Sequence, residues 1–313
     1  MGNKESSHSS TFSRGQGATS DIRDALASLP GSAPTNKTGR KVTVQKMKTA
    51  AATGVLALQE HGLKEVPDGL FLLVKLRTLN MSSNSIKHLP AAMNSLVKLK
   101  TLRLDANRLE ALPDLSALSV LTDISAGGNR LTGAGALGAL PACLTKLVLR
   151  DNNLGEMPQA VLEGLTALQS PLSKFRTNSI PFCDAQVLDM SANAIVALPP
   201  LAVALPALAE LILDDNSLRA LGNELEGLPK LKKLSARSNR IAAIDPFSGE
   251  QAISRGLLAD SAVEFLELAG NVLDKPDLLR MEGVDAFLGR REKTKNKSLQ
   301  GGGMLTLSIC GLD

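Results

Sequence analysis

Large aliphatic residues recur along this chain in a fixed order, Leu-x-x-Leu-x-Leu-x-x-Asn-x-Leu, usually followed by x-x-Leu-Pro. One copy reads Leu76, Leu79, Met81, Asn84, Ile86, Leu89, Pro90, with Met81 in place of the third leucine. The next reads Leu99, Leu102, Leu104, Asn107, Leu109, Leu112, Pro113. A later one reads Leu144, Leu147, Leu149, Asn152, Leu154, Met157, Pro158. Copies begin near positions 53, 76, 99, 121, 144, 185, 208, 231 and 263, and most intervals are 22 or 23 residues. The last two leucines of Leu-x-x-Leu-x-Leu lie two apart, so they share one face of a short strand. Nine copies in register predict strands stacked into one parallel sheet, each coil contacting only its neighbours.

The polar positions of the repeat carry a second prediction. Asn84, Asn107, Asn129, Asn152, Asn193, Asn216, Asn239 and Asn271 fall at the point where each coil turns off its strand. A buried Asn amide offers two donors and one acceptor group, so a ladder of them can satisfy backbone groups at that turn. His61 holds the same place in the first copy. The period lies within the leucine-rich-repeat range. The expected fold is therefore α/β: a leucine-rich-repeat solenoid, or horseshoe, of about nine 22–23-residue repeats with a parallel concave sheet and a C-terminal capping helix.

Boundaries follow from where the pattern starts, stops and stretches. Residues 1–45 read as a disordered polar and basic tail, 46–298 as the repeat domain, and 299–313 as a flexible tail. Met47–Gly54 leads into the first coil. A capping helix is expected from Pro276 to about Arg291, with Leu278, Leu279, Val284 and Leu288 covering the exposed end. The interval from 144 to 185 is 41 residues, which places an insertion near 170–186. It reads as a surface loop or as a retained intron, which sequencing the transcript decides. A smaller insertion lies near 248–260.

Composition sharpens this picture. Leucine supplies 56 of the 313 residues, and aromatic residues only 2%. So few rings exclude an aromatic-stacking nucleic-acid surface. The net charge of +4 is uneven: residues 1–50 carry +5 and residues 275–313 carry +2, leaving −3 for the middle. Basic tails on an acidic body argue against nucleic acid as partner. Cys143, Cys183 and Cys310 are odd in number and far apart, as in a reducing cytosol. No secretory h-region is present in the first 40 residues.

Three features bear on function. Met1-Gly2-Asn3-Lys4-Glu5-Ser6 matches the M-G-x-x-x-[ST] signal for N-myristoylation at Gly2. One acyl chain holds a membrane only marginally, and the cluster Lys37, Arg40, Lys41, Lys46, Lys48 is the candidate second contact. The concave face offers Arg103, Asp105, Lys146, Arg150, Asp151, Asp189, Glu210, Asp214, Asp215, Lys233 and Arg237 at or beside its outward positions as a partner-binding surface. Catalytic, cofactor and metal sites are not expected: H-E-x-x-H, Walker A, G-x-S-x-G and paired-Cys spacings are all missing from the chain.

Both ends of the repeat region narrow the kinship. Met1-Gly2-Asn3, the entry Thr53-Gly54-Val55-Leu56-Ala57-Leu58, and the exit Leu268-Ala269-Gly270-Asn271 through Leu278-Leu279-Arg280-Met281-Glu282-Gly283-Val284-Asp285 resemble the leucine-rich repeat-containing protein 57 family, as does Arg290-Arg291-Glu292-Lys293-Thr294-Lys295. That resemblance covers roughly residues 46–298 and the first three. It implies a cytoplasmic, N-myristoylated horseshoe without known catalysis. The chain departs from it in its long polar N-terminal segment, the insertion near 170–186 and the tail Gly301–Asp313. The expected function is a monomeric, non-catalytic scaffold or adaptor that binds protein partners at the cytoplasmic surface of a membrane. The alternative is a soluble regulatory subunit directing a phosphatase or small GTPase.

Overall fold

A computed structural model describes residues 37–162, 186–202, 204–300 and 310–312. Helix α1 (Lys37–Thr53) leads into nine three-residue strands: β1 (Val55–Ala57), β2 (Thr78–Asn80), β3 (Thr101–Arg103), β4 (Asp123–Ser125), β5 (Lys146–Val148), β6 (Val187–Asp189), β7 (Glu210–Ile212), β8 (Lys233–Ser235) and β9 (Phe265–Glu267). They form one parallel sheet in chain order, β1 to β9. In each strand the middle residue is buried, from Leu56 to Leu266, and the flanking two are at least partly exposed, except Ser235 of β8, which is buried. Short 3-10 turns such as Asp68–Leu72 and Ala91–Ser95 make much of the return path. Helix α2 is Gln159–Leu162.

The asparagines do what their spacing predicts. The Asn107 side chain donates to Met81 O of the preceding coil (3.0 Å) and to Leu104 O of its own (2.9 Å), while its Oδ1 accepts from Ile86 N (3.1 Å). The other seven repeat the donation to the preceding coil and the acceptance from it. His61 begins the ladder through its backbone, its N–H donating to Asn84 Oδ1 (3.0 Å). The residue before each ladder position has a left-handed φ: Glu60, Ser83, Ala106, Gly128, Asp151, Ala192, Asp215, Ser238 and Gly270. Only two of the nine are glycine, so most repeats hold a side chain in a costly conformation that the ladder imposes.

Neighbouring coils keep register through the long interval. Lys146, Leu147 and Val148 pair with Val187, Leu188 and Asp189 as any other strands do. The insertion itself lies outside the described residues except Gln186.

Four sequence expectations change. The tail predicted for 1–45 ends earlier, because α1 starts at Lys37. Its buried Thr43, Met47 and Ala50, at helical spacing, close the first coil. The insertion near 248–260 is no simple loop. Ser254 caps helix α3 (Arg255–Ala259) by accepting from Leu257 N, and Ala252, Ile253, Leu257 and Leu258 are buried. The capping helix is two helices, α4 (Lys275–Arg280) and α5 (Val284–Gln300). Between them Met281 is extended and Gly283 has a φ of +90°, where a Cβ would come 3.0 Å from Ala259 N and Arg255 O. Leu278 and Val284 are buried as expected, Leu279 is exposed, and Phe287 is fully buried beside them. Finally, Cys310 in the tail expected to be flexible is buried, and burial pushes its thiol up to about 12.

Candidate protein-binding face

The strand pairing aligns the outward residues of nine coils into rows. One row runs Val55, Thr78, Thr101, Asp123, Lys146, Val187, Glu210, Lys233, Phe265. A second runs Ala57, Asn80, Arg103, Ser125, Val148, Asp189, Ile212, Ser235, Glu267. Two residues further on lie Asp105, Gly127, Arg150, Ser191, Asp214 and Arg237. Of the eleven candidate partner-binding residues, nine fall in these rows. Asp151 and Asp215 instead hold the left-handed turn position (φ 52° and 54°).

Two of the nine are tied into the stacking. Asp105 Oδ1 accepts from Ser125 Oγ (2.5 Å) and Gly127 N (3.0 Å) of the next coil. Asp214 Oδ1 likewise accepts from Ser235 Oγ (2.6 Å) and Arg237 N (2.8 Å). Each carboxylate thereby clips one coil to its successor.

The cations divide into two groups. At β8 and two residues past it, Lys233 Nζ lies 2.7 Å from Glu210 Oε1, and Arg237 lies 2.9 Å from Glu267 Oε2. The Glu267 carboxylate raises Arg237 above the usual arginine range. In β5 the same two outward positions hold Lys146 and Arg150, both exposed, and neither has an ion pair among the described residues. The acids that correspond to Glu210 and Glu267 are present there, but as aspartates. Asp123, in register with Lys146, accepts from Thr122 Oγ1 (2.5 Å). Asp189 accepts from Ser191 N (3.0 Å) and Ser191 Oγ (2.7 Å). A shorter side chain and a nearby hydroxyl keep each carboxylate at home. Arg103, two strands away, is exposed and equally unpaired. Gly127 gives Arg150 room: a Cβ there would come 2.8 Å from Arg150 Cγ.

The leucine rich repeat family profile matches residues 54–109 and 185–241. Among solved structures, the leucine-rich repeat domain of APL1 aligns over 70% of this chain and 49% of its own, at 21% identity and a TM-score of 0.52. The LRIM1/APL1C complex aligns over 72% and 37%, at 22% identity and a TM-score of 0.52. YopM, a leucine-rich effector of Yersinia pestis, aligns over 81% and 71%, at 19% identity and a TM-score of 0.50. The protein is a leucine-rich-repeat solenoid. No curated protein matches it in sequence. It spans about half the length of the APL1 domain.

Leucine-rich-repeat proteins generally mediate protein–protein interaction. Glu267, Thr122 and Ser191 decide which of this solenoid's cations are free, and counting charges along the sequence did not single them out. Glu267 was within reach of a register count, since it aligns with Ser235 of the copy before it. Gly2 lies outside the described residues. Of the basic cluster near the N-terminus, Lys46 donates to Ala57 O (3.0 Å) and so pins α1 to β1. Among the described residues, no helix is long and apolar enough to cross a membrane. No group of three or more His, Cys, Asp or Glu is placed among them to hold a metal.

Proposed function

We propose that this solenoid is a non-catalytic interaction scaffold whose concave face, between β3 and β5, binds an acidic segment of a partner protein. The observation that carries this reading is the unneutralised set Arg103, Lys146 and Arg150, set against the ion-paired β8 on the same sheet. Strands sit about 4.8 Å apart and rise about 3.3 Å per residue, so the three cations bracket an area the width of an extended peptide. Arg and Lys there give orientation and a fast, salt-dependent encounter. Large aromatic anchors are scarce, so affinity is moderate. The LRIM1/APL1C structure is that of a complex, which supports a binding role. In the same proposal Gly2 carries a myristoyl chain that brings the scaffold to a cytoplasmic membrane surface, as the resemblance of both chain ends to the leucine-rich repeat-containing protein 57 family implies.

Affinity capture with mass spectrometry, comparing wild type, Lys146→Glu/Arg150→Glu and Lys233→Glu/Arg237→Glu, tests the binding site. Partners lost from the first variant and kept by the second support it. Identical partner sets for all three, with circular dichroism unchanged, refute it. Gly2→Ala is expected to move the protein from the membrane to the soluble fraction; an unaltered distribution would remove the membrane part of the proposal.

A further inference from the structure

Each coil donates one N–H to the outward strand residue of the next. Leu58 N donates to Asn80 O, Met81 N to Arg103 O, Leu104 N to Ser125 O, and so on to Ala236 N, which donates to Glu267 O at 2.9 Å. The last coil has no successor in the repeat series, yet the series continues: Leu268 N donates to Cys310 O at 2.8 Å. The Cys310 carbonyl therefore stands where a next strand's carbonyl would, although Cys310 (φ +58°) and Gly311 form a turn there and not a strand. Its side chain is 1% exposed, and Leu312 packs against the interior. Gly311 lies on the outward side, where a Cβ would come 2.9 Å from Ala269 Cβ and 3.5 Å from Glu267 Oε2. Its φ of +72° also favours glycine.

We infer that the edge of the last coil, just after β9, is a docking site, and that its occupant is the chain's own C-terminal segment, bound in cis. Three contacts define what fits: a carbonyl for Leu268 N–H, a residue without a side chain over Ala269, and an apolar residue two positions after the carbonyl. An uncovered parallel edge is a template for pairing with other chains, and adding a strand to such an edge is a general mode of peptide recognition. The C-terminal segment takes up one amide at that edge, Leu268 N–H. In sequence it follows α5 after residues 301–309, so the contact is one within a single chain. This inference is independent of where partners bind on the concave face.

The test uses the full-length chain and a fluorescein-labelled peptide of residues 304–313. Gly311→Val removes the space over Ala269, and Leu312→Asp removes the apolar anchor; either vacates the edge. Hydrogen exchange at the Leu268 amide is expected to accelerate at least tenfold in both variants. The peptide is expected to raise its anisotropy with both variants and to bind wild type at least tenfold more weakly, because the tethered segment competes. Equal binding to wild type and variants, or binding to none of them with Leu268 exchange unchanged, overturns the inference. A wild-type mass of two chains by light scattering, falling to one in Gly311→Val, would overturn the cis occupant and assign the segment to a second copy.

Discussion

Strands β5 and β8 present a lysine and an arginine at the same two outward positions, Lys146 with Arg150 and Lys233 with Arg237. Both are flanked by an acid on the strand before and an acid on the strand after. Around β8 those acids are Glu210 and Glu267, and both reach their cations. Around β5 they are Asp123 and Asp189, and both turn to a hydroxyl of their own coil. One methylene and one neighbouring Thr or Ser separate a strand that neutralises itself from one that keeps its charge. The sign of the residues is the same in both regions; reach and local competition decide what the surface offers.

The comparison holds only if the scaffold beneath the two strands is equivalent. Asn152→Ala and Asn239→Ala remove the ladder amide under β5 and β8, each leaving backbone groups of two coils unpaired. Both are expected to lower unfolding free energy by about 2–4 kcal/mol, as orphaned buried hydrogen-bonding groups do. Urea denaturation that showed one loss far smaller than the other would mean the two regions differ below the surface as well.

Charge reversal comes next in size. With a fluorescein-labelled polyglutamate peptide as probe, Lys146→Glu/Arg150→Glu is expected to weaken binding about tenfold to a hundredfold, or roughly 1.4–2.7 kcal/mol. Lys233→Glu/Arg237→Glu should change it less than about threefold, because those cations are already matched. Comparable losses from both would erase the distinction.

The sharper experiment converts one strand into the other. Asp123→Glu/Asp189→Glu lengthens both flanking acids, and each then reaches its β5 cation. Polyglutamate affinity is expected to fall by about threefold to tenfold with the fold intact. No change would mean that side-chain reach is not what keeps β5 free. The smallest effect belongs to the converse. Glu210→Gln/Glu267→Gln should cost at most about 1 kcal/mol of stability per exposed pair and raise polyglutamate affinity a few fold. A large loss of stability instead would mark these bridges as structural.

Much of this molecule was legible in its leucines and asparagines, because both serve a geometry that repeats. Leu102 or Leu147 is buried wherever the period puts it, and Asn107 or Asn216 bonds the same backbone groups in every coil. What the pattern hid was aperiodic. Helix α1 extends back to Lys37 because Thr43, a polar residue, shares the buried face with Met47 and Ala50. The split between α4 and α5 falls at extended Met281 and at Gly283, where a side chain would meet α3, a close approach that no local signal announces. On the concave face the charged residues were visible by position. The state of each depended on distances between coils: Asp105 and Asp214 spend an oxygen on stacking, whereas Arg150 spends nothing. Tertiary reach of that kind is not written in any single repeat.

The unbroken pairing of β5 with β6 has a practical consequence. Their copies begin 41 positions apart, yet the hydrogen-bonded register passes from Lys146 to Val187 as though the interval were ordinary. The extra positions fall between Leu162 and Gln186 in sequence, after α2 and before β6, and the sheet's register is the same on both sides of them. The junction after α2 is therefore a natural port for engineering. A fluorescent reporter or an epitope tag placed there would ride on the solenoid while the cations of β5 stayed presented as before.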